Sequence, residues 1–340
     1  MALLTDAGPG GSPCAAQPSA TGLVHEALFY RGLDGDSDPA GHSSYPAIIT
    51  RFLHEGLERS EPALVAVPGL RLDALRWAMG ASSGDVEFVD MAQAGRNPGR
   101  ILPSVLYAFV RRHPACRVRF VGEPIWPGRS TAEYRAALQH EALINIALEQ
   151  EQVTILCPYD CVGLDPTALA QARQTHPVLI EGAWRGASTD YRDPRAVADA
   201  SLRALPEPPE WWGDMLVFST TADLPRVRAF VLDHARRAGL DEPRASDLCQ
   251  AVHEVASNTL VHTRGAGVLA LWQDPETGSL VCEISDSGQL PSRLVGRIPP
   301  AAGEAHGHGL IRVNELCDLV EMPTGQIGTG TTIRLHMNLR

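Results

Sequence analysis

Between about residues 22 and 185, short apolar runs alternate with longer segments of helical period. The apolar runs are the strand candidates, and they lie at Leu64–Val67, Glu87–Asp90, Val118–Gly122, Val153–Cys157 and Val178–Glu181. The helix candidates lie near 46–59, 71–80, 100–113, 131–150 and 166–175. Runs that are apolar on both faces indicate strands that are covered by helices on both sides. The alternation therefore predicts an α/β domain with a mostly parallel sheet.

The pattern changes from about residue 214, where helices are grouped and strands adjoin one another. The strand candidates lie at Met215–Thr221, 267–274, 279–286, 319–323 and 331–337. The helix candidates lie at 224–238, at 245–262 and near 309–317. Strands joined by short turns beside grouped helices predict an α+β sandwich with a mixed sheet.

Two segments lack either pattern. Residues 1–21 are rich in Gly, Pro, Ser and Ala, and this composition predicts a disordered lead-in. Helix interiors and central strands reject proline, so the Pro-rich run 206–209 predicts a linker over 186–213, with room for one short helix at 193–204. The predicted domains are therefore 22–185 and 214–340.

Composition removes several kinds of mechanism. All 29 basic residues are Arg, because the sequence contains no Lys. A P-loop, a eukaryotic-type kinase site and Schiff-base chemistry each need a Lys, so none of them is expected. The net charge of −11 disfavours sequence-independent binding to DNA. With neither a signal peptide nor an apolar run of membrane-spanning length, we expect a cytoplasmic protein without a membrane partner.

One helix of the C-terminal domain, Asp247–His262, carries a carboxylate and an amide on the same face. Its core-facing stripe comprises Leu248, Val252, Val255 and Thr259. Glu254 and Asn258 are four residues apart and lie roughly 90° from that stripe, at the rim of the helix packing. Such a pair can accept a proton and ligate a metal, although a solvated Glu and an ordinary helix Asn are the simpler interpretation.

Three glycine-containing motifs follow in the same domain. Asp286-Ser287-Gly288 ends a strand, so a carboxylate lies beside a residue that permits the close approach of a ligand. The segment 306–310, H-G-H-G-L, opens a helix whose exposed amides and positive dipole end suit a phosphate. The segment 328–332, G-T-G-T-T, introduces the last strand.

The order of these motifs resembles the N, G1, G2 and G3 boxes of the GHKL ATPase superfamily, with its Bergerat sandwich, and most of all the bacterial anti-sigma-factor serine kinases. The resemblance implies ATP and Mg²⁺ as cofactors, with Asn258 holding Mg²⁺ and Glu254 acting as the general base. It implies that Asp286 accepts a hydrogen bond from the adenine amino group and that Gly288 leaves room for the ring. The remaining implied nucleotide-binding residues are Gly307, Gly309, Leu310, Thr331 and Thr332.

Two features depart from the pattern of that superfamily. Leu290 stands where the fuller D-x-G-x-G motif has its second Gly, and the lid segment 289–306 is short and contains three prolines. These departures motivate an alternative, a non-catalytic nucleotide- or ligand-binding module that acts only by docking a partner. A histidine kinase is not expected, because residues 186–213 contain no His that could accept a phosphate.

Polar clusters recur along the N-terminal domain, and they begin at His25, Gly122, His140 and Cys157. Together they resemble the MEDS (DcmR-like) sensory domain of bacteria. The resemblance covers about residues 22–185 and implies a RecA-like module that is thought to bind small hydrocarbon derivatives. The candidate residues of a sensory pocket are His25, Tyr30, Glu123, His140, Cys157 and Asp160. The alternatives are a protein-contact surface or a metal site formed by His25, His140, Cys157 and Cys161.

The two resemblances together predict a signal-responsive bacterial regulator of transcription. A sensory domain would control an ATP-binding domain that phosphorylates Ser or Thr of an anti-anti-sigma (STAS) protein, sequesters a sigma factor, or does both. The expected partners are therefore a STAS protein or a sigma factor, with a small-molecule signal at the N-terminal domain. Related kinase domains commonly dimerise, so a homodimer is a further expectation, whereas direct contact with nucleic acid is not expected.

Overall fold

The structure is a computed structural model and describes residues 22–32, 44–202, 205–208, 214–263, 265–275, 277–300, 307–323 and 330–339. The predicted lead-in over 1–21, and parts of the predicted linker and lid, lie outside these residues. Among the helices described, none combines the length and the apolar character that a membrane crossing requires.

In the described residues of the N-terminal half, seven strands form one sheet. They are β1 (Val24–Tyr30), β2 (Ala63–Val67), β3 (Val86–Asp90), β4 (Val118–Gly122), β5 (Val153–Asp160), β6 (Val178–Glu181) and β7 (Trp184–Ala187). Their order across the sheet is β3-β2-β4-β5-β1-β6-β7. All neighbours are parallel except β6 and β7. The mostly parallel sheet is thus confirmed, and β1 and β7 are strands that the sequence pattern did not predict.

Helices cover both faces of this larger sheet. They are α1 (Tyr45–Leu57), α2 (Gly69–Met79), α3 (Met91–Ala94), α4 (Tyr107–Arg112), α5 (Thr131–Ala147), α6 (Pro166–Thr175) and α7 (Pro194–Ser201). Successive residues of a strand point to opposite faces. Ala27 and Phe29 of β1 therefore pack in the core beneath α5, whereas Leu28 and Tyr30 pack in the core beneath α1 and α2. The strands are apolar on both faces because both faces are buried.

The stretch that the sequence assigns to a linker is partly structured. It begins inside β7 and contains α7, which corresponds to the predicted short helix and packs against α5. The positions of the two domain boundaries stay a prediction.

In the described part of the C-terminal half, five strands form a second sheet. They are β8 (Met215–Phe218), β9 (Gly267–Asp274), β10 (Ser279–Asp286), β11 (Leu319–Glu321) and β12 (Thr331–Asn338), in the order β11-β12-β10-β9-β8. Every neighbouring pair is antiparallel, so the expectation of a mixed sheet is corrected over these residues. Two helices, α8 (Leu224–Arg237) and α9 (Glu242–Thr263), separate β8 from β9. Because the chain passes through two helices between β8 and β9, it re-enters the sheet in the opposite direction, and the two strands pair antiparallel.

The predicted apolar stripe of α9 lies in the core of this second unit. All four of its residues are buried, namely Leu248, Val252, Val255 and Thr259. Glu254 and Asn258 are only half-buried, as their angular offset from the stripe predicts. The last helix, α10 (Gly309–Leu316), packs across α9 and begins close to Glu254.

The N-terminal half with its seven-stranded sheet is called the larger unit, and the C-terminal half with its five-stranded sheet the smaller unit. A polar interface joins α10 of the smaller unit to a short turn of the larger unit, Asn97–Gly99. The Asn97 Nδ2 group donates to the backbone oxygen of Asn314 at 2.9 Å and to its Oδ1 at 3.2 Å. A Cβ atom on Gly99 would overlap the Asn314 side chain and lie 2.5 Å from Nη1 of Arg297. Two ion pairs flank this contact, Arg96–Asp318 at 2.8 Å and Arg135–Glu321 at 2.7 Å. The absence of a side chain at Gly99 therefore permits the two units to dock.

We expect Gly99→Ala to lower the free energy of unfolding by about 1–3 kcal/mol, because the added methyl group overpacks the interface and displaces Asn314 or Arg297. Urea denaturation of the full chain measures this change. Gly84→Ala is the matched control, since no atom lies within 4 Å of a Cβ built on Gly84. Equal effects of the two substitutions would contradict the prediction.

Candidate functional site

A cavity of about 820 Å³ lies between α9, α10 and the end of β10. This volume is in the range of small-molecule sites. Eight of the sequence-predicted residues line it, namely Glu254, Asn258, Asp286, Gly288, Gly307, Gly309, Leu310 and Thr331. Thr332 is outside the lining, because its hydroxyl pairs with the Ser285 Oγ atom at 3.2 Å on the sheet.

The Asp286 carboxylate is held at both of its oxygens. Thr259 Oγ1 donates to Oδ2 at 2.6 Å, and the backbone N–H of Gly288 donates to Oδ1 at 2.8 Å. Thr331 Oγ1 donates to the carbonyl oxygen of Gly288 at 3.1 Å, which ties the start of β12 to the same turn. These donors fix the orientation of the carboxylate, whose remaining lone pairs are available to a donor in the cavity.

Glycine is needed at both Gly307 and Gly309, at the start of α10, but for a different structural reason at each position. A Cβ atom on Gly309 would lie 2.9 Å from Glu254 Oε2, so a glycine permits the close approach of α10 to α9. Gly307 has a φ of 93°, in the left-handed region that favours glycine. The N-cap residue His308 makes no side-chain cap. The first backbone amides of α10 therefore remain available to an anion beside Glu254 and Asn258.

The described part of the lid, residues 289–300, is a wall of the cavity and also packs on the larger unit. Leu290 contacts the core of the smaller unit, whereas Leu294 and Ile298 contact the core of the larger one. All three side chains line the cavity. One wall of the cavity is thus formed by a segment that also packs on the larger unit.

Three arginines, Arg293, Arg297 and Arg312, lie in or next to the chain segments that line the cavity, and their surroundings differ. Arg293 pairs with Asp199 of α7 at 2.6 Å. Arg297 is buried and donates to Gln139 Oε1 at 3.0 Å, and burial lowers the pKa of Arg297 to about 10. Arg312 lines the cavity and donates to Gln250 Oε1 at 2.7 Å. Of these three guanidinium groups, that of Arg312 is the one placed to meet a bound anion.

Three of the N-terminal candidates, Tyr30, Glu123 and Asp160, meet at the carboxyl ends of parallel strands. Open α/β sheets bind their ligands at these strand ends. Arg71 joins Glu123 at 2.6 Å to Asp160 at 3.1 Å. Tyr30 and Tyr45 donate to Glu123 at 3.2 and 3.4 Å. Burial raises the pKa of Glu123 to about 8. Sequence reasoning missed Arg71 and Tyr45, although Arg71 lies in the first turn of the helix that follows β2, where the same rule would have placed it.

The other N-terminal candidates lie on the opposite face of the sheet. His25 and Cys157 meet Glu141 and His176 there, two residues that were not among the candidates. His140 is buried on the neighbouring position of α5, and Cys161 follows the end of β5 with its thiol 4.0 Å from the Tyr159 carbonyl oxygen. The available signal for Glu141 was its position four residues before Asn145, which places the two polar side chains on one face of the helix.

Comparisons with known proteins identify both units. Residues 25–177 match the family model of the MEDS domain, the methanogen/methylotroph DcmR sensory domain, and residues 217–337 match that of the histidine kinase-like ATPase domain. No curated protein matches the chain significantly.

Two solved structures share local similarity with the chain. One comprises the RsbU and RsbW domains of a Mycobacterium tuberculosis protein, with 20% identity, a TM-score of 0.27, and coverage of 37% of this chain and 32% of that chain. The other is the catalytic domain of the histidine kinase ThkA, with 12% identity, a TM-score of 0.23, and coverage of 37% and 95%. The chain thus spans about a third of the first of these structures. By its two family matches, the chain joins a stretch of MEDS sensory type, residues 25–177, to a stretch of histidine kinase-like ATPase type, residues 217–337.

Proposed function

We propose that the chain is an ATP-dependent protein kinase of the anti-sigma type, in which the MEDS domain controls phosphorylation of Ser or Thr on a STAS-class antagonist or the capture of a sigma factor. The observation that supports this proposal is that three groups meet in one cavity of the ATPase domain. They are the fixed Asp286 carboxylate, the Glu254–Asn258 pair and the open amides of α10.

The adenine end of the cavity is assigned to Asp286. Because Thr259 and Gly288 occupy only part of the acceptor capacity of its oxygens, the carboxylate can accept a further hydrogen bond from an exocyclic amino group. A Cβ atom on Gly288 would approach the Thr263 methyl group, so this glycine keeps the turn compact. The polyphosphate then extends toward α10, where Gly307 and Gly309 present backbone amides.

The phosphate end of the cavity fits Mg²⁺, since the Asn258 amide oxygen that lines it is the kind of hard oxygen ligand that this cation prefers. When bound, Mg²⁺ would neutralise and orient the phosphates. The Glu254 carboxylate accepts the proton of the attacking Ser or Thr hydroxyl. A bond forms between that oxygen and the γ-phosphorus while the bond from phosphorus to the bridging oxygen breaks, and ADP leaves.

We expect Asp286→Asn to weaken ATP binding by about 10- to 100-fold, because a hydrogen bond to a charged acceptor is worth about 1.5–3 kcal/mol. The amide has one acceptor oxygen for Gly288, Thr259 and the adenine together. Isothermal titration with Mg-ATP measures the dissociation constant. Asp274→Asn, at the far end of the β9–β10 hairpin, is the control, and an unchanged affinity of Asp286→Asn would remove the adenine assignment.

Glu254→Gln should separate binding from chemistry. The substitution keeps the size of the side chain but removes the proton acceptor, so we expect phosphoryl transfer to fall by about 10²- to 10⁴-fold with little change in ATP affinity. Transfer of labelled γ-phosphate to a STAS-domain protein that co-purifies with the chain is the measurement. A rate equal to that of the parent chain would exclude Glu254 as the base.

Control by the MEDS domain is supported by the docking of the lid. Arg293 pairs with Asp199, and Arg111 donates to the carbonyl oxygens of Pro299 and Pro300 at 2.7 and 3.1 Å. A lid held in place loses less conformational freedom when a ligand binds. A signal that shifts α5 or α7 would therefore change the affinity of the cavity for nucleotide.

We expect Asp199→Asn to raise the dissociation constant for Mg-ATP by about two- to fivefold, the scale of a partly exposed ion pair of 0.2–1 kcal/mol. The doubly substituted chain Asp199→Arg, Arg293→Asp should restore most of the affinity, because the pair is re-formed in reverse. Asp73→Asn, which removes the exposed pair of Asp73 with Arg76 on α2, should have no effect. An effect of Asp73→Asn equal to that of Asp199→Asn would contradict control through the lid.

A second candidate function is a non-catalytic module that binds nucleotide and acts by docking a partner. The side chain of Leu290 favours it, because it occupies part of the cavity wall where the family motif has glycine. Tight binding of Mg-ATP without phosphate on any co-purified partner would favour this candidate over the kinase.

A further inference from the structure

Four buried side chains of the MEDS domain converge between the larger sheet and its helices. His25 lies on β1, Cys157 on β5, Glu141 on α5 and His176 immediately after α6. Each is at most 1% exposed. One donor atom from each residue lies within 4.8 Å of the donor atoms of the other three. Four elements that are distant in sequence thus bring two imidazoles, a thiol and a carboxyl group to one point.

The spacing of these atoms is that of ligands around one ion. Glu141 Oε2 lies 3.3 Å from His25 Nε2 and 3.2 Å from His176 Nε2. Cys157 Sγ lies 3.5 Å from His25 Nε2. Tetrahedral Zn²⁺ has bonds of about 2.0–2.3 Å, which place neighbouring ligand atoms about 3.3–3.8 Å apart. These three separations are close to that range, and the other three are at most 4.8 Å.

Hydrogen bonds behind the two imidazoles set their tautomers. His176 Nδ1 lies 2.8 Å from the carbonyl oxygen of Ala172, which can only accept, so Nδ1 carries the hydrogen. Asn145 uses its amide nitrogen to donate to the carbonyl oxygens of Glu141 and Thr175. Its Oδ1 atom, 3.1 Å from His25 Nδ1, is therefore also an acceptor. In both neutral rings Nε2 therefore carries a lone pair and lies within 3.3 Å of Glu141 Oε2.

Lone pairs of two imidazoles and a carboxylate that face one another repel unless a cation lies between them. Both Glu141 oxygens and His176 Nε2 are buried and without a hydrogen-bond partner in the described part of the chain. Such groups are costly to leave unsatisfied away from water. The arrangement is instead the usual one around a metal, where each ligating His donates its other ring N–H to an oxygen and is thereby oriented.

We propose that His25, Glu141, Cys157 and His176 bind one Zn²⁺ ion in the MEDS domain. Binding releases the Cys157 proton to solvent, and the thiolate and the carboxylate together balance the two positive charges of the ion. A neutral site of this kind is compatible with its complete burial. The thiolate and imidazole donors select zinc over Mg²⁺ and Ca²⁺. Four protein ligands leave no open position, which is typical of structural or sensing sites.

The ion would anchor the helix through which the two domains communicate. Besides Glu141, α5 carries Arg135, which pairs with Glu321, and Gln139, which accepts from the lid residue Arg297. Zn²⁺ at Glu141 would therefore fix α5 to β1 and β5 on one side while α5 contacts the ATPase domain on the other. The metal site itself does not depend on the proposed kinase activity.

Metal binding is tested on the purified full chain after treatment with a chelator. We expect one Zn²⁺ per chain by elemental analysis after reconstitution. Replacement by Co²⁺ should give a thiolate-to-cobalt charge-transfer band together with the intense visible bands of tetrahedral Co²⁺. In Cys157→Ser the charge-transfer band should disappear, whereas Cys161→Ser, the matched control four residues away, should keep it. Less than a tenth of an equivalent of metal, or a charge-transfer band that persists in Cys157→Ser, would overturn the proposal.

A second measurement covers the outcome in which a ligand variant fails to fold. Zn²⁺ should raise the melting temperature of the chelator-treated parent chain, because an ion that binds only the folded state stabilises it. Glu141→Gln should lose this response while circular dichroism verifies its folding. A parent chain whose melting temperature is unchanged by Zn²⁺ would show that a proton, and not a metal, bridges the cluster, and would also overturn the proposal.

Discussion

The docking of the lid and α10 on the MEDS domain is the contact on which the arrangement of the site depends. Its centre is Arg297, whose side chain is 1% exposed and donates to Gln139. The Nε and Nη1 atoms of Arg297 have no partner within the described residues. A buried guanidinium that is incompletely paired is costly. The docked state is therefore held by the contacts around Arg297, which are the packing of Gly99 on Asn314 and the two flanking ion pairs.

The MEDS domain separates its polar groups onto the two faces of one sheet. The Glu123 group lies at the strand ends beside α1 and α2, whereas the His25–Glu141–Cys157–His176 group lies beneath α5 and α6. Alternation along β1 and β5 causes this separation, because neighbouring residues point to opposite faces. A signal bound near Glu123 and an ion bound beneath α5 would thus act through different helices. Of the two groups, only the second includes a residue of a helix that contacts the lid, Glu141 of α5.

Hydrophobic periodicity was sufficient to predict an element and its buried face where burial follows a regular pattern along the sequence. The stripe of α9 is regular, and the offset of Glu254 and Asn258 from it predicted their place at the cavity rim. The strand β1 was missed because His25 and Glu26 interrupt its apolar run, and both are buried by tertiary contacts that a local pattern cannot show. His176 was missed for the same reason, since its partners are distant in sequence. The antiparallel pairing of β8 with β9 was within reach of the sequence, because the two helices predicted between them already return the chain in the opposite direction.

The absence of Lys leaves arginine as the permanently charged cation for a bound anion, and α10 carries both an arginine of the cavity and a contact with the MEDS domain. This helix begins with the glycines whose amides face the cavity, and Arg312, one turn later, supplies a cation to the same cavity. Two residues after Arg312, Asn314 accepts from Asn97 of the MEDS domain and donates to the lid carbonyl oxygen of Gly296 at 3.2 Å. Because a short helix moves as a rigid body, a displacement at Asn314 also displaces the amides and Arg312. The groups that would meet the phosphates therefore cannot be repositioned without altering the contact with the sensory domain.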